Sequence, residues 1–426
     1  MASDSTASPA ARTEAAAASA SEEFTPARAG LGEVARYFVR LGFTAFGGPA
    51  AHVAMMEDDL VNRRRWISRR QFMDTLAATQ LVPGPNSTEM AIHMGYVQRG
   101  VPGLIVAGAC FIGPAFLLVL LISIGYVAYG TLPQVNALFY GIQPVIVAIV
   151  IQAVYRLGAT ACRTLPMIIL AVVGTLLQLL TSLDTVLIII GGGLVGVVLA
   201  LGPQFLRSTS LLLLLPFGGR LAQPETEAPL WQLGLFFLKV GATLMGSGYV
   251  LLSYLETDLV RGYGWLTRPQ LIDAIAVGQM TPGPVFTTAA FVGYVIEAGP
   301  DNNVLQGVLG AAVAAVAIFL PSFLIVLFMA PWIPRLRQSR VAGAFLDGVN
   351  AAVVGSIAAI TWTLFATAVI SLADPTVAVP IAGTTLDIPA LLLAVVATFI
   401  LLRYKLNSTW LIGIGAVSGL LLQSLL

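Results

Sequence analysis

Charge is scarce in this 426-residue chain: Asp, Glu, Lys and Arg together make up only 10% of it, against roughly a quarter in an ordinary soluble domain. The 22 Lys and Arg residues barely exceed the 21 Asp and Glu, leaving a net charge of +1 and none of the basic excess that nucleic-acid binding needs. Cysteine and histidine are equally sparse. Cys110 and Cys162, with His52 and His93, are too few for a disulfide framework or a His/Cys metal centre. The cysteines lie in or beside apolar segments, where small packing residues are the default. No G-x-x-x-x-G-K-[ST] loop, dinucleotide fingerprint, haem or cluster ligand set is present. These absences argue against a nucleotide-driven pump and a redox enzyme, so no cofactor, metal or catalytic residue is expected.

What the chain has is apolar length. Hydrophobic residues make up 57% of it and the mean hydropathy is +0.88. A spanning helix needs about 20 apolar residues with few charges. Val101 to Tyr129, Pro166 to Leu180, Val186 to Leu201, Val304 to Met329 and Trp410 to Leu426 are runs of this kind. The chain therefore reads as an all-α polytopic membrane protein. Residues 1–30 are rich in Ala, Ser and Thr with scattered charge, cannot bury enough surface to fold, and read as a disordered tail. They lack the basic start and apolar run of a signal peptide.

A shift of 199 positions carries Phe38-Val39-Arg40-Leu41-Gly42 onto Phe237-Leu238-Lys239-Val240-Gly241. The match continues through Glu57/Glu256, Asp59/Asp258, Trp66/Trp265, Gln71/Gln270, Asp74/Asp273, Gln80/Gln279 and Pro83-Gly84-Pro85/Pro282-Gly283-Pro284. After small insertions Pro114 pairs with Pro321, Gly141 with Gly348, Gln143 with Asn350 and Asp184 with Asn407. Two copies of one unit follow, 31–219 and 230–426, joined by a linker at 220–229.

Short-loop charges indicate how the copies are oriented, because Lys and Arg stay on the cytoplasmic side. Arg156 and Arg163 make one connection of the first half basic, whereas its counterpart carries Asp374 and Asp387. The other two first-half connections are neutral or acidic, at Leu132 to Asn136 and at Asp184, and their counterparts carry Arg335, Arg337 and Arg340, then Arg403 and Lys405. The sign reversal implies inverted repeats. Inversion needs an odd number of crossings, yet each half has about six apolar segments. The Pro-Gly-Pro segment is the one expected not to cross, since two prolines and a glycine break a helix; a broken but fully crossing helix is the rival. The expected unit is thus five spanning helices plus a re-entrant or broken helix, with the N-terminal tail on the face opposite the basic loop Arg63 to Arg70.

Interrupted segments at matching positions of two repeats point to a transporter's binding site. The breaks are formed by Pro83, Gly84 and Pro85, and by Pro282, Gly283 and Pro284. After them come Asn86-Ser87-Thr88-Glu89 and Val285-Phe286-Thr287-Thr288. Each new helix starts with unpaired N–H groups and a positive dipole end that attracts anions, to which Asn86, Ser87, Thr88, Thr287 and Thr288 add polar groups. The alternative is that the hydroxyls only cap their own helices. Arg40 and Lys239 are matched cations in apolar segments, either functional or snorkelling to the interface. Behind them lie Gly47-Gly48 and Gly246-Ser247, whose glycines let backbone approach a ligand or another helix. Glu89, unmatched in the second half, and His93 one turn on are candidates for proton or cation coupling, against an ordinary dipole complement and an interfacial histidine. Gln80 and Gln279, one turn before the breaks, are candidate neutral ligands. The Glu57/Asp59 and Glu256/Asp258 pairs read as structural ion pairs.

Phe43-Thr44-Ala45-Phe46-Gly47-Gly48-Pro49, Trp66 with Gln71-Phe72-Met73-Asp74, and Gln80-Leu81-Val82-Pro83-Gly84-Pro85-Asn86 with Gly95-Tyr96 resemble the chromate ion transporter family. The likeness covers both halves, as in the long, two-domain members. It implies a multi-pass protein of the bacterial inner membrane, a secondary transporter that exports chromate and confers resistance. Sulfate, a tetrahedral dianion of similar size, or another oxyanion is the alternative substrate, and a channel of the same architecture is the rival to a transporter. A homodimer is compatible with such a protein. The second half departs from the pattern, with Gly246-Ser247-Gly248 for Gly-Gly-Pro and no Asn or Glu after its break, so unequal contributions of the halves are expected.

Overall fold

The computed structural model describes residues 27–46, 48–80, 82–130, 132–181, 183–202, 228–299, 301–329, 339–371, 378–381, 384–404 and 406–425. Most of the tail, Gly47, most of the linker, Arg335, Arg337, Asp374 and Lys405 lie outside the described residues. The described residues are helical almost throughout, as the apolar composition requires, with one short pair of strands among them, β1 (Ala378–Ile381) and β2 (Thr384–Asp387). Among the described residues, four helices are long and apolar enough to cross a membrane: Asn86–Tyr129, Pro133–Ala161, Val304–Phe328 and Arg340–Ile370.

Each half opens with two helix-break-helix hairpins. In the first half, α1 (Leu31–Thr44) leads through the glycine-rich break into α2 (Gly48–Met56), which continues as a π-helical turn, Glu57–Arg63. Next comes α3 (Arg69–Thr79), then the Pro-Gly-Pro break, then α4 (Asn86–Tyr129), itself interrupted at Arg99 and Gly100. The second half repeats this with α8 (Leu230–Thr243), α9 (Val250–Tyr254) running into a π turn, Leu255–Gly262, then α10 (Arg268–Met280) and α11 (Thr288–Ala298). Local signals agree between the copies. Ser68 accepts the Gln71 N–H at the start of α3, and Thr267 makes a full capping box with Gln270 at the start of α10. The turns ending the second hairpins sit at Gly100 (φ 60) and Gly299 (φ 59), again 199 positions apart.

The remainder of the first half is α5 (Pro133–Ala161), α6 (Leu165–Leu180) and α7 (Thr185–Leu201). Its counterparts, after α12 (Val304–Met329), are α13 (Arg340–Phe365), α14 (Ile388–Tyr404) and α15 (Ser408–Leu425). These helices exchange partners between halves: α5 packs on α14 and α15, and α13 packs on α6 and α7. Small residues permit the approach. A β-carbon on Gly348 would collide with the Gly192 carbonyl and lie 2.9 Å from the Gly196 Cα, and one on Gly141 would lie 2.8 Å from the Gly419 Cα. The repeat partners Gly141 and Gly348 thus make matching contacts across the halves.

Two expectations change in detail. The first apolar segment of each half is not one crossing helix. At 1.5 Å per residue, α1 reaches about 21 Å, short of a bilayer's roughly 30 Å, and the chain then turns back. Glu33 near the start of α1 bonds Arg64 after the return at 2.8 Å, and the Ala27 N–H donates to the Arg65 carbonyl at 3.0 Å. The second hairpin returns to the same end, where the Gln98 amide accepts from the Ala29 N–H and donates to the Trp66 carbonyl, both at 2.9 Å. Residues 27–30 therefore lie beside the basic loop Arg63 to Arg70, not on the opposite face, because the chain reverses after Thr44 before it can cross.

Candidate functional site

The breaks of the two halves meet. The Gly84 N–H donates to the Leu244 carbonyl at 2.8 Å, and the Gly283 N–H donates to the Ala45 carbonyl at 3.0 Å. Each bond joins the Pro-Gly-Pro apex of one half to the glycine-rich apex of the other, and each is the repeat equivalent of its partner. Such broken backbone is tolerated at membrane depth only when buried in protein or lining a wet cavity. Gly84 (φ 139) and Gly283 (φ 87) adopt a region that side chains rarely enter. Both are also hemmed in. A β-carbon on Gly283 would lie 2.8 Å from the Ala115 Cβ, and one on Gly84 would meet the Glu89 carboxyl and lie 2.6 Å from the Ser322 Oγ.

The residues after the breaks are buried, but the two ends differ in chemistry. Pro85 and Pro284 offer no side-chain cap to the helices that follow, so the first-turn amides depend on other partners. On the first-half side, Asn86 is half-buried, Ser87 shares a 3.2 Å hydrogen bond with His52 Nδ1, and Thr88 Oγ1 has no partner. His52 Nε2 also lies 3.1 Å from the Ala45 carbonyl oxygen, the atom that accepts from Gly283. This histidine was not singled out by sequence reasoning, and its position at the apex is set by the fold of the first hairpin. Glu89 is fully buried, and neither carboxyl oxygen has a partner. His93, one turn on, has no partner at Nδ1. On the second-half side Thr287 and Thr288 donate to the Pro284 and Val285 carbonyls, both at 2.7 Å, so these hydroxyls bond within their own turns. Val285 and Phe286 stand where Asn86 and Ser87 do, and the polar groups concentrate at the first-half break.

Other candidates lie elsewhere. Arg40 is exposed and lines a cavity of about 480 Å³ with Gly32, Glu33, Arg36, Tyr37 and Arg64, towards the open end of the first hairpin. Lys239 bridges Asp184 of the first half at 2.6 Å and Asp258 of the second at 2.8 Å. Gln80 is exposed at the end of α3, while Gln279 is half-buried near the end of α10. Gly48 is half-buried at the start of α2; Gly246 is exposed, with the Asn350 Oδ1 2.9 Å from where a β-carbon would sit. The Ser247 Oγ accepts from the Tyr249 N–H at 3.3 Å. Glu57, Asp59, Glu256 and Asp258 all form ion pairs, the structural role the sequence indicated.

Two buried groups escaped sequence reasoning. Ser322 follows the proline paired with Pro114, so only its place in the repeat could have flagged it. Asp273 accepts from Tyr126 at 2.8 Å and from Gln143 at 3.2 Å; its repeat with Asp74 was legible, its partners in the other half were not.

The chromate transporter family model matches residues 32–197 and again 231–420. The chain belongs to the chromate transporter family. This transporter is 32% identical to a chromate transport protein of Cupriavidus metallidurans over 93% of its own length and 94% of that protein's. It is likewise 32% identical to a probable chromate transport protein of Synechococcus elongatus, over 77% and 83% of the two chains, and to a chromate transport protein of Pseudomonas aeruginosa, over 76% and 78%. No solved structure matches it. Chromate transport by a multi-pass membrane protein is thus the setting in which the meeting breaks must be understood.

Proposed function

We propose that this transporter exports chromate across a bacterial inner membrane, confers chromate resistance, and holds the anion where the four broken hairpins meet. The observation that carries this reading is the pair of reciprocal bonds, Gly84 to Leu244 and Gly283 to Ala45. They bring helix starts that attract anions to one place between two halves that can rock against each other. The first-half break, with Asn86, Ser87 and Thr88, is the principal anion-binding side; Thr287 and Thr288 contribute backbone more than hydroxyl. Arg40 serves as an entry charge and Lys239 as a tie between halves.

Export fits the energetics. A dianion leaving a cell that is negative inside gains about 4–5 kcal/mol per 100 mV, twice the value for one charge. The matched apex contacts support a twofold relation between the halves; the reversed loop charges favour an inverted one, while the count of crossings, with the first two apolar segments of each half both turning back, does not. On this reading Arg63 to Arg70 and Arg99 mark the cytoplasmic face. Sulfate, of the same charge and shape, is expected to compete, because helix starts and hydroxyls read charge and size more than the central atom.

The test is radiolabelled chromate uptake into everted inner-membrane vesicles, with sulfate as competitor and with the potential and pH gradient varied separately. Saturable, potential-stimulated uptake that sulfate inhibits is expected. Its absence would overturn the proposal, and flux that never saturates would favour a channel.

A further inference from the structure

Glu89 is the least explained group among the described residues. Its carboxyl is fully buried, both oxygens lack hydrogen-bond partners, and no charged side chain acts on it. It flanks the α-carbon of Gly84 together with the Ser322 Oγ, which is also fully buried and unpartnered and comes from α12 of the other half. Gly84 is the residue whose N–H ties the first-half apex to Leu244. An ionised carboxylate left bare in such a place is very costly, and only a proton, a cation or water removes that cost.

A metal cation is a poor fit, since no group of three His, Cys, Asp or Glu side chains gathers among the described residues. The groups around the helix containing Glu89 do not neutralise it either. α1, α2, α3, α10, α11 and α12 all pack on α4. Their titratable and charged side chains are Glu33, Arg36, Tyr37 and Arg40 on α1, and His52 on α2. Arg69, Arg70 and Asp74 lie on α3, Arg268 and Asp273 on α10, and Tyr294 and Glu297 on α11; α12 has none. On α4 itself His93 lies one turn away and Arg99 at the kink. His52 is engaged by Ser87 and Ala45, and Asp273 by Tyr126 and Gln143.

We propose that Glu89 is a proton-binding site linked to anion binding at the adjacent break, taking one proton from solvent as the anion is enclosed and returning it to solvent when the apexes part. This rests on the anion site proposed above. A dianion held by the start of α4 would repel an ionised carboxylate in the first turn of that helix and favour its neutral form. By linkage the proton strengthens anion binding by the same factor that the anion strengthens proton binding. Separation of the Gly84 and Leu244 contact would admit water and allow the carboxyl to ionise. Ser322 would hydrogen-bond the neutral carboxyl from the far half, so that the proton reports on whether the halves are closed.

The experiment is chromate binding to the purified full-length protein in weakly buffered detergent solution, measuring affinity and protons taken up at several pH values. Wild type is expected to bind more tightly as pH falls, by up to tenfold per unit for one linked proton, and to take up close to one proton more per chromate than Glu89→Gln. That variant carries a neutral carboxyl mimic. It is expected to bind chromate with only the pH dependence of chromate's own protonation, which the comparison cancels. A wild type that binds no chromate refutes the anion site. Equal proton uptake and equal pH dependence in the two proteins, or a folded Glu89→Gln that binds at no pH, refutes the proton site alone. If Glu89→Gln fails to assemble, infrared difference spectra of the wild type decide: a new protonated-carboxyl band on chromate addition is expected, and its absence overturns the inference.

Discussion

Substitution Gly283→Ala strikes the closure between the halves without adding charge or polarity. At φ 87 an alanine pays conformational strain of about 1–3 kcal/mol. Its β-carbon would also sit 2.8 Å from the Ala115 Cβ and 3.3 Å from the Gly42 carbonyl, overpacking that typically costs about 1–3 kcal/mol. The sum, about 2–6 kcal/mol, falls on the apex that donates to Ala45, so the closed arrangement is expected to lose both stability and transport. The clash has an identified partner, which permits a double-mutant cycle. Ala115→Gly removes the nearest colliding atom but not the backbone strain, and should restore about 1–2 kcal/mol of the loss. Thermal stability by fluorescence-detected size exclusion and chromate flux in vesicles are the two readouts. A Gly283→Ala protein that melts and transports like wild type, or one that Ala115→Gly does not improve, would show that the apex does not hold the halves as described.

Further changes address other contacts. Lys239→Met leaves Asp184 and Asp258 facing each other without their cation; with partial exposure, a destabilisation of about 1–3 kcal/mol is expected, and the triple variant with Asp184→Asn and Asp258→Asn should recover most of it in the same melting assay. Asn86→Leu with Thr287→Val should insert normally yet raise the chromate concentration for half-maximal uptake at least severalfold, with most of the effect from Asn86; unchanged kinetics would refute the anion site. Gly348→Leu has no room against Gly192 and Gly196 and should abolish the monodisperse folded protein, whereas Gly343→Leu, with nothing within 4 Å of its β-carbon position, should not.

The sequence by itself determined that the chain lives in a membrane, that it is a duplicated unit, and which residues interrupt its helices. Composition, the 199-residue periodicity and the two Pro-Gly-Pro tripeptides are local or self-referential signals, so they survive without coordinates. The acidic pairs near Arg63 and Arg261 were legible for the same reason, being close in sequence to their cations. Tertiary structure decided what the breaks do. That the first apolar segment also turns back, bringing Arg64 to Glu33, was not legible, because no helical periodicity encodes where a returning chain will dock. That Gly84 reaches Leu244, Gly283 reaches Ala45, and Ser322 comes to the side of Gly84 that Glu89 occupies depends on two halves packing across more than a hundred residues of intervening chain. Lys239 shows the limit most plainly. Its rarity in an apolar segment marked it as a group needing a partner, but that one of its two carboxylates would come from the other half is a property of the assembled fold, because a half-buried charge takes whatever counter-charge the packing brings to it.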